Sequence, residues 1–106
     1  MSEIPKAVRE FVAHRDTLCV RCGGAPSDIH HRQRRREGGH ALFNVVRLCR
    51  TCHSWAHAHP EQARKTGFIV SLYEDDVSSA PIKVFWGWGI IHSDGSIWPL
   101  AAPPAA

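Results

Sequence analysis

Three groups of residues in this chain have the types and spacing to do chemistry. They are Cys19-x-x-Cys22, then Asp28-Ile29-His30-His31-Arg32, then Asn44 followed by Leu48-Cys49-Arg50-Thr51-Cys52-His53. All four cysteines of the chain fall into the two Cys-x-x-Cys pairs. Such a turn aims two thiolates at one ion, and two turns complete a tetrahedron, so Cys19, Cys22, Cys49 and Cys52 are expected to hold a structural zinc ion. The alternative is two disulfides, which would suit a small secreted protein. The opening residues Met1-Ser2-Glu3-Ile4-Pro5-Lys6 carry no apolar run of signal-peptide length, and no stretch is long and apolar enough to span a membrane. A reducing, cytoplasmic setting without membrane contact is the expectation.

The histidines suggest a second, different metal site. His30 and His31 stand between the cysteine pairs, and His53 and His57 are four apart, so they share a face if a helix follows the second pair. Three imidazoles converging on one ion would leave coordination positions open for water and phosphate. Any single one of the eight histidines reads most simply as an ordinary polar side chain; a tandem pair and an i,i+4 pair around cysteine turns favour ligation. His14, His40 and His92 lie outside this pattern.

Charge is unevenly spread. Residues 1–67 hold 12 of the 13 Lys and Arg against 6 acids, a balance of +6, while residues 68–106 hold one Lys against four acids, a balance of −3. An arginine run is often only a solvated face. Here Arg32, Arg34, Arg35 and Arg36 follow the tandem histidine, with Arg47 and Arg50 near the second cysteine pair, and guanidinium forks match phosphate oxygens. These six are the expected phosphate contacts.

The elements that must position these groups follow from pattern. Ile4, Val8, Phe11 and Val12 recur at helical spacing after Pro5, predicting a short N-terminal helix. Asp28 to Arg32 reads as a strand, a polar loop runs to Gly38-Gly39, and Phe43 to Leu48 reads as a second strand. Thr51 to His59 has no breaker before Pro60, and Pro60 to Thr66 continues or restarts a helix that Gly67 stops. Strand, loop, strand, helix is a ββα unit. At 106 residues the chain is one small domain whose core alone gives marginal stability, and a structural metal offsets that.

Taken together, Cys19-x-x-Cys22, His30-His31, Gly38-Gly39, Asn44, Leu48-Cys49-x-x-Cys52-His53 and His57 closely resemble the HNH endonucleases, over about residues 19–59. The resemblance implies an α+β fold with a small ββα-metal (His-Me finger) core stapled by the four-cysteine zinc site, with an N-terminal helix and a C-terminal β-hairpin extension. It implies hydrolysis of DNA phosphodiester bonds. His31 matches the general base that activates water, and His30 and His53 match ligands of a catalytic divalent ion (Mg, Mn, Ni or Zn). Asn44 matches the asparagine that fixes the loop and the base histidine; His57 matches a further ligand found only in some members. A neutral imidazole with an ordinary pKa of about 6.5 suits proton abstraction near neutral pH.

Residues 1–67 are thus the expected nuclease core and residues 68–106 a β-rich extension of the same domain. In the extension Phe68-Ile69-Val70-Ser71-Leu72 and Ile82 to Ile91 are strand-like, and Ser93-Asp94-Gly95-Ser96 signals a hairpin before Ile97-Trp98. Trp86, Trp88 and Trp98 read as a small core or a protein contact ahead of a base-stacking platform. Ala101 to Ala106 is expected to fray. Compact HNH proteins with such a continuation resemble those of bacteriophages, which often work beside the DNA-packaging terminase. The competing class is a non-catalytic zinc-ribbon module, binding nucleic acid or assisting packaging; it has no need of His30, His31, Asn44 and His53 together.

Overall fold

The computed structural model describes residues 4–34, 39–71, 77–101 and 104. Two small antiparallel sheets and three helices share one core. Helix α1 (Lys6–Arg15) begins after Pro5 and buries Val12. At its end Arg15 pairs with Asp16 at 2.7 Å and donates to the carbonyls of Leu42, Val45 and Gly95, which ties the helix to distant segments. Strands β1 (Asp28–His31) and β2 (Val45–Leu48) pair in the register Asp28↔Leu48 to His31↔Val45. Side chains alternate along a strand, so Asp28 and His30 share one face of β1.

Helix α2 (Arg50–Ala58) follows β2 directly, capped by the Cys49 sulfur accepting from the Cys52 amide at 3.4 Å. His59 ends it, and Pro60 opens α3 (Pro60–Lys65), since proline fits a first helical position and cannot continue a helix. Gly67 then turns the chain with φ +82°; a Cβ there would lie 2.0 Å from the Pro81 carbonyl oxygen, so only glycine fits. A 3-10 turn (Val77–Ser79) precedes strands β3 (Ile82–Val84), β4 (Gly87–Ile91) and β5 (Ile97–Pro99), which form the second sheet in that order.

The buried core joins both halves of the chain. Val46, Leu48, Cys52 and Ala56 pack with Phe68, Ile82, Val84 and Ile91. No helix among the described residues is long and apolar enough to cross a membrane.

Three features differ from the sequence expectation. Phe68 to Ser71 form no strand: the amides of Phe68 and Ile69 both donate to Ala63 O and that of Val70 to Arg32 O, so their apolar side chains close off α3 rather than enter a ladder. Leu72, the last residue of that expected strand, is outside the described residues. The run Ile82 to Ile91 is two strands, because Phe85 and Trp86 form a turn between β3 and β4. Trp86 and Trp98 remain 47% and 59% exposed and so do not build a core; Trp88 is half-buried. The hairpin at Ser93–Ser96 forms, with Ile91 opposite Ile97. Of the expected frayed end, Ala102, Pro103, Ala105 and Ala106 lie outside the described residues.

Candidate metal centres

The cysteine cluster is built by two turns meeting at the head of α2. The Cys19 amide donates to Gly24 O and that of Gly23 to Cys19 O, which curls the first pair; Gly24 N points at the Cys22 sulfur at 3.4 Å. The second pair is the cap and first turn of α2. All four sulfurs lie within 4.8 Å of one another. Tetrahedral thiolate coordination at about 2.3 Å requires neighbouring sulfurs about 3.8 Å apart, and Cys22 and Cys49 stand at 3.8 Å. All four are free cysteines, so the disulfide alternative is not realised. The cluster fits a structural zinc ion.

Electrostatics in the cluster favour anionic sulfur in part. Burial raises the Cys52 thiol to about 12, an effect that Arg21 opposes by donating to its sulfur at 3.5 Å. Burial also works to raise Cys19, but hydrogen bonds from the backbone of Cys49, Cys22 and Arg21 outweigh it and bring Cys19 to about 7. Arg21 lies 3.5 Å over the Trp55 ring, which fixes the guanidinium at the cluster. Spacing could not show this residue, because its place depends on a helix thirty residues further along.

The histidine cluster lies on a neighbouring face of α2, where His53 follows Cys52 directly. His30, His53 and His57 each offer a ring nitrogen within 4.8 Å of the others, with ring centroids 4.9 to 5.9 Å apart. His30 is buried and its Nε2–H donates to Phe68 O at 2.6 Å, leaving the Nδ1 lone pair as its ligating atom. Burial, with His53 and His57 nearby, brings its pKa down to about 4, so this imidazole is neutral at pH 7. His53 donates from Nδ1 to Asp28 Oδ2 at 2.8 Å, which turns its Nε2 towards His57 Nε2 at 3.3 Å. Two ring nitrogens this close need a proton or a cation between them. The donor set fits a divalent ion.

No family model, curated protein or solved structure matches the chain. What the site can do therefore rests on its own atoms and on their surroundings.

Asp28, at the head of the histidine-bearing strand, joins the cluster through His53. His53 first, then Arg50 at 2.9 Å and Ser27 at 2.9 Å, hold its carboxyl well below the usual carboxylate range. Its place two residues before His30, on the same face of β1, was the signal available in sequence. A carboxylate behind a ligating imidazole fixes its tautomer and orientation, and losing one typically weakens metal binding ten- to a hundredfold. Asp28→Ala is accordingly expected to weaken divalent-ion binding at the histidines by about that factor, read by competition with a chelating dye, with the cysteine-bound zinc unaffected. Unchanged affinity would remove Asp28 from the site.

His31 and His40 make a further pair, with Nε2 of His31 3.1 Å from Nδ1 of His40. His40 was passed over in the sequence because nothing in its spacing marks it. Asn44 is fully buried: its Oδ1 accepts from Gln33 N at 2.8 Å, and its Nδ2 donates to Gln33 O at 3.0 Å and Gly39 O at 2.9 Å. It therefore locks both ends of the loop that separates His31 from His40.

The expected phosphate contacts divide. Arg34 is exposed and lines a hollow of about 610 Å³ together with His30, His31, His53 and His57. Arg64 lines the same hollow from α3; the break at His59 and Pro60 separates it from the helix that carries His57, so spacing alone does not mark it. Arg32 also borders the hollow, but it is 1% exposed and its guanidinium is engaged by the carbonyls of Gly67, Phe43 and Ala80, so its hydrogen bonds hold the fold. Arg50 is turned to Asp28, and Arg47 donates to Asp16 O at 3.4 Å, away from the histidines. Arg35 and Arg36, like Gly38, lie outside the described residues.

Proposed function

We propose that this protein is a metal-dependent endonuclease of the HNH kind, with β1, β2 and α2 as its ββα-metal core and DNA as its substrate. The observation that carries the proposal is the convergence of His30, His53 and His57 in one open hollow with His31, Arg34 and Arg64. Among the described residues no acid lines that hollow. Such a lining favours an anionic ligand, and a phosphodiester supplies one.

In this reading His30, His53 and His57 would hold the divalent ion, which supplies Lewis-acid stabilisation of the charge growing on phosphorus and on the leaving oxygen. His31 takes the proton from the attacking water. The imidazolium so formed donates from Nε2 to Nδ1 of His40, the neighbour 3.1 Å away, which stabilises the added charge. The new bond joins the water oxygen to phosphorus, and the bond from phosphorus to the 3′ oxygen breaks, with a solvent proton completing the hydroxyl. Arg34 and Arg64 neutralise the non-bridging oxygens. Asn44 keeps the loop in place without touching the reacting atoms.

Cleavage of supercoiled plasmid by the purified protein, with EDTA and with added Mg, Mn, Ni or Zn, tests this. Nicking or linearisation is expected only with metal, and His31→Ala should lower its rate by about two to four orders of magnitude. Its circular dichroism and zinc content should match the parent protein. A variant that retains parental activity removes His31 as the base; no cleavage with any metal removes the enzyme assignment.

A further inference from the structure

A second hollow, of about 820 Å³, adjoins the histidine hollow and shares Arg64, Ile69, Val70 and Ser71 with it as a common wall. Beyond that wall it is lined by Lys65, Gly67, Pro81 and Trp88, among others, and by no acid among the described residues. Its size is in the range that takes a nucleotide. Arg64 stands in the shared wall towards the histidines, and Lys65 and the Trp88 ring line the hollow beyond it.

The second sheet extends this surface. Lys83 pairs with Trp88 and Ile90 with Trp98, so these four side chains project from one face. The opposite face carries Ile82, Val84 and Ile91 into the core. The outward face is thus a row of partly exposed apolar and aromatic groups with one lysine, continuous with the second hollow through Trp88. His92 packs edge-on against Trp98 at 5.8 Å, which orients that ring at the far end.

We propose that the second hollow binds an unpaired DNA nucleotide flanking the phosphate held at the histidines, with Arg64 on the intervening backbone, Lys65 on the phosphate of the bound nucleotide and the base stacked on Trp88. This rests on the nuclease reading for its direction. A duplex keeps its bases inside and offers Trp88 no ring face, whereas every unpaired base offers one. The protein therefore prefers a frayed, gapped or single-stranded region beside the cleaved bond.

Fluorescence anisotropy in the His31→Ala background, where cleavage is blocked and zinc is retained, reads this directly. The probes are a labelled oligothymidylate and a labelled blunt hairpin duplex. The single strand is expected to bind more tightly. Trp88→Ala should weaken single-strand binding about tenfold or more with little change on the duplex, and Trp88→Phe should restore most of the affinity because it still stacks. Lys65→Ala should lower the salt dependence of single-strand binding by about one ion. Equal losses on both probes, or single-strand binding indifferent to Trp88, overturn the subsite. The two readings fail separately: absence of plasmid cleavage by the parent protein removes the nuclease assignment, and Trp88-independent binding removes the nucleotide subsite.

Discussion

Replacing Cys49 by serine, or stripping the cysteine cluster with a strong chelator, is expected to unfold the whole chain and not merely its first turn. Cys19 and Cys52 are core residues that pack with Val20, Val46 and Leu48, so the ion would sit inside the region that both sheets and α2 share. Structural zinc bound by such clusters contributes about 10–16 kcal/mol of apparent folding free energy at pH 7. That is comparable with or larger than the roughly 5–15 kcal/mol total stability of ordinary domains. Cys49 has a second duty, since its sulfur caps α2 through the Cys52 amide. Serine keeps some capping ability but is a poor zinc ligand, so the variant separates the two effects in favour of metal loss. The prediction includes a pH sign. With burial raising Cys52 to about 12, the empty cluster carries protons at neutral pH that the ion must displace, so zinc affinity rises with pH. Circular dichroism melts of parent and variant, each with its zinc content measured, check it. A zinc-free Cys49→Ser protein that melts where the parent melts would falsify the structural assignment.

Arg32→Ala is expected to cost about 3–5 kcal/mol, among the largest effects available to a single side chain here. The guanidinium donates from Nε to Gly67 O at 2.8 Å, from Nη1 to Phe43 O at 3.0 Å and from Nη2 to Ala80 O at 2.7 Å. Those carbonyls belong to three separate segments: the end of α3, the approach to β2 and the approach to β3. Burial first, and Arg15 second, lower the Arg32 pKa to about 10, so the group remains charged at neutral pH and is balanced by carbonyl dipoles. Truncation leaves these acceptors without their donors as well as a cavity. Arg32→Met fills the space but donates nothing, so it should recover only the cavity part. Urea unfolding at saturating zinc measures both variants; a loss under about 1 kcal/mol in Arg32→Ala would mean that the carbonyls find other donors.

The contrast between Arg32 and the cysteines shows what could be seen in the sequence. Ligand spacing is a local property: Cys-x-x-Cys and the i,i+4 histidines carry their geometry in three or four residues, and both clusters form where expected. A run of arginines carries no statement of which one turns inward. That is decided by Gly67, Phe43 and Ala80, far apart in the chain, each presenting a carbonyl at one point. Asp28 was half legible, through period two on a strand. Arg21 and His40 were not legible at all, because their partners are fixed only by tertiary packing. The failed strand at Phe68 has the same origin, as an apolar run shows that side chains are buried but not whether the amides enter a ladder or close a helix.

Helix α2 is nine residues long, with Cys52 in its first turn followed directly by His53, and His57 one turn on. Were ions held at both clusters, two sites on so short a rod would be thermodynamically linked. Whatever an ion at the sulfurs contributes to holding the helix in register is a cost that an ion at the imidazoles no longer has to meet. By reciprocity the two affinities rise by the same factor. With the sulfur site expected to fill first, it would prepare the imidazole site; stabilising the helix by other means would tighten the first step and leave the second unchanged, so the two steps of a titration would move further apart.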